Sequence, residues 1–140
     1  MKKIVTLMLL TMAEFTFAQT PVGTWKILDE KTGAVRTHIK IYPKGNVLHG
    51  KVVKIGDPKD INGICSECKG DKKNKRILGL EILTGLKKKG DTWINGKIID
   101  PQTGNVYSCK AEPMGKDKLK MRGYLGISLL GKTQIWERVD

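Results

Sequence analysis

Hydrophobic and polar residues alternate along most of this chain with a period of two rather than 3.6. That spacing belongs to strands that bury one face. The pattern is clearest over residues 34–42, where Val35, Thr37, Ile39 and Ile41 share one face and Arg36, His38, Lys40 and Tyr42 take the other. Extended along the chain, it predicts strands over 23–29, 34–42, 47–55, 77–86, 92–99, 105–111, 118–124 and 132–139. Turn-forming residues separate them: Glu30-Lys31-Thr32-Gly33, Pro43-Lys44-Gly45-Asn46, Lys87-Lys88-Lys89-Gly90-Asp91, Asp100-Pro101-Gln102-Thr103-Gly104 and residues 113–117. In Asp100–Gly104, Pro fixes φ at the first corner and Gly supplies the positive φ that closes the hairpin. Asn95-Gly96 is a competing tight turn that would split 92–99. Residues 56–75 form the longest irregular stretch, and 125–131 form an apolar loop.

Sequential hairpins of this kind favour an all-β fold. The expected architecture is a single eight-stranded antiparallel up-and-down β-barrel, because closure removes exposed strand edges. An open sandwich is the alternative. The two ends of the strand region point to closure. Gly23-Thr24-Trp25 opens the first strand, and Trp136-Glu137-Arg138 lies near the end of the last. Gly23 has no Cβ and permits close approach of another segment. An Arg lying across an indole face gains roughly 0.5–2 kcal/mol. Gly23, Trp25 and Arg138 are therefore the expected closure residues.

This arrangement resembles the lipocalin and fatty-acid-binding-protein superfamily, in which a Gly-x-Trp on the first strand packs against an Arg on the last. A second resemblance covers nearly the whole strand region. It is carried by Gly23-Thr24-Trp25, Gly50-Lys51-Val52-Val53, Cys65-Ser66-Glu67-Cys68-Lys69-Gly70, Ile98-Ile99-Asp100-Pro101 with Gly104, Tyr107-Ser108-Cys109-Lys110, residues 119–126 and residues 133–139. In these residues the chain is similar to a bacterial family, domain of unknown function 2147 (DUF2147). The resemblance implies an exported, lipocalin-like barrel and carries over no catalytic residues.

The N-terminus agrees with export. Met1-Lys2-Lys3 is a positive start, residues 4–12 are apolar, and Thr16-Phe17-Ala18 offers small residues for cleavage. Residues 1–18 read as a signal peptide and 19–140 as the lipocalin-like domain, periplasmic or secreted after cleavage. The apolar run is too short to span a bilayer, so an integral membrane protein is not expected. The net charge is +12, which draws a protein toward anionic surfaces. Export makes nucleic acid a poor partner and leaves an anionic envelope surface as the partner this charge would serve. A monomer is expected.

Cys65-x-x-Cys68 and Cys109 are the reactive-looking residues. In an exported protein a disulfide is the default. A Cys65–Cys68 link closes a very short loop, whereas a link from either to Cys109 closes about forty residues and stabilises more in the chain-entropy model. The shorter link is expected here, with Cys109 buried as a small apolar thiol. Thiol-redox chemistry at Cys65/Cys68 needs a depressed pKa, usually at a helix N-terminus, and no such helix is evident. A zinc site would have to recruit His38 or His49, and no second ligand pair has the right spacing. No metal, cofactor or catalytic residue is therefore expected. Trp25, Tyr107, Met121 and Trp136 are the candidate ligand-lining residues. Glycines 79, 85, 96 and 123 favour a cavity by leaving side-chain volume unfilled. Three functions remain open at this point: a carrier of a small apolar or amphipathic ligand, a solid basic envelope-associated barrel, and a thiol or metal site.

Overall fold

Trp25, Ile39, Ile41, Val52, Leu83, Leu86, Leu119 and Trp136 are all sealed from solvent, and they come from six different strands of one closed sheet. The computed structural model describes residues 19–125 and 131–140. The signal peptide read over 1–18 and most of the apolar loop 125–131 lie outside the described residues. The strands are β1 (Gly23–Leu28), β2 (Val35–Lys44), β3 (Val47–Ile55), β4 (Glu81–Lys89), β5 (Thr92–Ile99), β6 (Val106–Met114), β7 (Lys118–Tyr124) and β8 (Gly131–Arg138). Each pairs antiparallel with the next, and β8 pairs back onto β1, closing an eight-stranded up-and-down barrel.

Residues directly opposite on neighbouring strands share a face, so the register defines the interior. Trp25 faces Ile39, Leu119 faces Trp136, and Ala111 faces Met121. Away from the register shifts every second residue points inward, and Lys40, Lys51 and Lys120 point out.

Several boundaries differ from the sequence reading by one to four residues; β2, for one, runs on through Pro43 and Lys44, which shortens the turn read over 43–46 to Gly45-Asn46, and the larger differences have physical reasons. β4 begins at Glu81, not at residue 77. Residues 77–80 still follow β3, through Gly79 N–H to Val52 O at 2.8 Å and Val52 N–H to Leu80 O at 3.0 Å, but without a regular ladder. β4 also runs on through the lysines to Lys89, leaving a two-residue tip at Gly90-Asp91. β6 continues through Pro113, near the strand end where a missing N–H is tolerated. Asn95-Gly96 is not a hairpin turn. Asn95 has φ +62° inside β5, and the register to β6 shifts between Trp93 and Gly96, forming a bulge.

The glycines divide by role. A Cβ on Gly96 would sit 2.6 Å from Leu86 Cδ2 and 2.7 Å from Cys109 Sγ, so this glycine marks tight packing rather than a void. Gly79 and Gly85 serve backbone conformations with φ +89° and +75°. Gly79 has nothing within 4 Å of an added Cβ but is exposed, so Gly123 is the one of the four that fits the cavity expectation. Among the described residues, the one atom within 4 Å of a Cβ placed there is Tyr107 Cβ at 3.8 Å.

Candidate ligand site

The two ends of the barrel differ. At one end the chain enters β1 and leaves β8. Arg138 Cζ lies 4.3 Å from the centroid of the Trp25 ring. The same guanidinium donates to Val22 O at 2.9 Å, to Thr20 O at 3.2 Å and to Lys116 O. The Trp25 indole N–H is taken by Pro21 O at 2.8 Å. Gly23 is required here because a Cβ would lie 2.1 Å from Arg138 Nη1. This end is plugged by the protein's own groups, and Trp25 has neither a free face nor a free donor for a ligand.

The other end, the mouth end, carries the 29–34 turn, the 56–80 excursion, the 100–105 turn and the β7–β8 connection, most of which lies outside the described residues; Cys65, Cys68 and Leu80 of the excursion pack into the core there. Ile27, Thr37 and Ile55 oppose one another across β1, β2 and β3. Leu83, Ile98 and Tyr107 do so across β4, β5 and β6. Apart from fully buried Leu83, these inward-facing residues are half-buried, in contrast to the sealed residues of the plugged end. Deeper in, Met121 opposes Gln134, and the Trp136 indole N–H donates to Gln134 Oε1 at 3.2 Å. Tyr107, Met121 and Trp136 share the inner wall with Gln134 and Gly123, but Met121 and Trp136 are sealed in the core, as Trp25 is beneath the plug, and only Tyr107, Gln134 and Gly123 are partly exposed.

The 56–80 excursion carries an internal disulfide. Cys65 and Cys68 are joined in a disulfide. Cys65 N–H donates to Lys75 O at 2.8 Å and Asn74 N–H to Cys65 O at 2.9 Å, folding the loop on itself. Cys65 Sγ sits 3.4 Å from Pro101 O, so the loop rests on the turn between β5 and β6. That turn has the form read from Asp100–Gly104, with Gly104 at φ +75° and its N–H donating to Asp100 O at 2.7 Å. Cys109 is a free buried thiol whose pKa is pushed up to about 12 by burial, so it stays protonated at neutral pH. Among the described residues no three His, Cys, Asp or Glu side chains converge as metal ligands.

One cluster was not visible in the sequence. On the outer wall, Glu81 accepts a hydrogen bond from Tyr42 Oη and lies 2.9 Å from His49 Nδ1 and 3.5 Å from Lys44 Nζ. Tyr42 and His49 are opposite each other on β2 and β3, but Glu81 arrives from β4, more than thirty residues later. Nothing local signals that meeting. Burial alone would raise the Glu81 pKa. The hydrogen bonds from Tyr42 and His49 and the charges of His49 and Lys44 outweigh it and hold the carboxyl at about 2. Burial and the same carboxylate push the Tyr42 phenol up to about 12. A carboxyl pKa lowered on folding stabilises the fold above its ordinary value of 4.5, and that contribution is lost as pH falls toward about 2. The stability advantage of the wild type over Glu81→Gln is therefore expected to shrink as pH falls from 4.5 through about 2, measured as urea midpoints across that range.

The comparisons with known proteins agree with this architecture. The fold matches that of the Helicobacter pylori protein HP1028, described as belonging to the lipocalin family, with a TM-score of 0.76 at 14% sequence identity over 87% of this chain and 84% of that one. At that identity the likeness is one of fold. No curated protein matches the chain in sequence. Residues 23–138 match the family described as "Uncharacterized protein conserved in bacteria (DUF2147)". That span runs from the glycine under Arg138 to Arg138 itself, and the chain belongs to the DUF2147 family as a lipocalin-like barrel.

Proposed function

We propose that this protein is an exported binding module that holds a small apolar or amphipathic molecule in the mouth half of its barrel. One observation carries the reading. Inward side chains at the plugged end are sealed, whereas Ile27, Thr37, Ile55, Ile98, Tyr107 and Gln134 face inward yet remain partly exposed. A wall that is mostly apolar with a few polar groups is the usual make-up of a small-molecule site. Here the polar groups are the Gln134 amide and the Tyr107 hydroxyl.

The test is a titration of Trp fluorescence with a panel of apolar and amphipathic compounds, in the wild type and in Gly123→Phe. The added ring enters the space that Gly123 leaves beside Tyr107. Binding by the wild type and a loss of at least roughly tenfold in affinity in Gly123→Phe, about 1.4 kcal/mol, is the expected result. No response from the wild type, or equal affinity in a well-folded variant, would count against the cup. Export has its own readout. Intact mass of protein recovered from the cell envelope should correspond to a chain starting at Gln19, and a retained Met1 would contradict it.

A further inference from the structure

The barrel is closed unevenly. β7 and β8 pair along seven residues, whereas β1 and β8 pair at two positions, Trp25 with Arg138 and Lys26 with Glu137. Both lie at the plugged end. Toward the mouth the two strands part, and the seam opens into a cleft of about 280 Å³ lined by Ile27, Leu28, Gln134, Ile135 and Trp136 among others. An adjoining cleft of about 230 Å³ continues to the rim, where Lys31, Arg36 and Lys132 stand with Asp29 and Glu30. The cleft ends on Trp136, an inner-wall residue that is 1% exposed.

Among the described residues, one salt bridge spans the rim of the seam. Lys132 Nζ, at the start of β8, pairs with Glu30 Oε2, in the turn after β1, at 2.9 Å. Both side chains are more than half exposed, and exposed pairs of this kind contribute only about 0.2–1 kcal/mol. The pair is a weak latch that an incoming anion can displace. Asp29 accepts the backbone N–H groups of Lys31 and Thr32 at 2.9 and 3.0 Å through Oδ1, and its charge also acts on Arg36, which leaves Lys31 and Lys132 as the main cations for an incoming head.

We propose that the β1–β8 seam is a lateral port for a single-chain amphiphile with an anionic head. The chain enters between Ile27 and Leu28 on one side and Ile135 and Trp136 on the other. The head stays at the rim, replacing Glu30 as the partner of Lys132, with Lys31 and Arg36 close by. This inference rests on the reading of the barrel as a ligand carrier, and it adds the route and the charge of the ligand.

The probes are dodecanoate and 1-dodecanol, which share a chain and differ in head charge. They are titrated into the wild type, Gly123→Phe, Lys132→Met, Lys132→Arg, the double variant Lys31→Met/Lys132→Met, and Ile135→Asp. The expected result is that Lys132→Met weakens dodecanoate about fivefold and the double variant at least about tenfold. Lys132→Arg keeps wild-type affinity, and 1-dodecanol is indifferent to all three. Ile135 is 43% exposed, so an Asp there leaves the fold intact while putting a charge in the path of the chain; both probes should weaken. If Gly123→Phe abolishes binding while the Lys132 and Ile135 variants bind as the wild type, the cup stands and the seam proposal is overturned. If the wild type binds neither probe, the seam proposal is overturned as well. If the seam variants weaken binding and Gly123→Phe does not, the ligand sits in the seam alone and the cup reading fails.

Discussion

Replacing Arg138 with alanine is expected to lower the stability of the domain by about 3–5 kcal/mol, more than the loss of a terminal charge would suggest. The side chain is 17% exposed. It covers the Trp25 ring at 4.3 Å and holds the carbonyls of Val22, Thr20 and Lys116. Hydrogen bonds to a charged donor are worth roughly 1.5–3 kcal/mol each, and the stacked cation adds about 0.5–2. The contributions overlap, which is why the expected loss is below their sum. Arg138→Lys should recover only a part of it, because an ammonium cannot both stack and fork toward three carbonyls. In a thermal melt a loss of this size lowers the midpoint by roughly 10–20 °C. A midpoint within a few degrees of the wild type would mean that the strand ends are held together by something else.

Gly104→Ala should have the second largest effect, and a local one. The position combines φ +75° with a Cβ that would lie 2.0 Å from Glu67 O and 2.5 Å from Glu67 C. The left-handed conformation alone costs about 1–2 kcal/mol for an alanine. The clash is with the backbone of the disulfide-bridged loop, which cannot yield as a side-chain tip can. The loop between Cys65 and Cys68 must lift off the turn, so the expected cost is about 3 kcal/mol with a rise in amide exchange confined to residues 56–80 and 100–105. Gly45→Ala is the control. Gly45 has φ +63° with nothing within 4 Å of the added carbon, so only the conformational cost of about 1 kcal/mol applies. Equal behaviour of the two variants would show that the loop is not docked as described.

How much of this could be read from the residues depends on range. The alternation gave 47–55, 92–99 and 118–124 their observed bounds because each strand is flanked by turn residues that speak for themselves. The short disulfide is the one favoured of two pairings the residues leave open, and the meeting of Gly23, Trp25 and Arg138 is where closure was expected. What escaped needs register. Residues 77–80 look like a strand by hydropathy, yet they pair irregularly with β3. Gly96 looked like missing volume, yet Leu86 and Cys109 fill it from other strands. The Tyr42–Glu81–His49 cluster and the parted seam depend on which residues of distant strands come level, and a period of two carries no such information.

The most direct test of the carrier reading is a crystal structure of the protein recovered from the cell envelope without refolding. The account expects elongated density along the inner wall beside Tyr107, Gly123 and Gln134, reaching Trp136. A space at Gly123 filled by the protein's own side chains, with no such density, would contradict it.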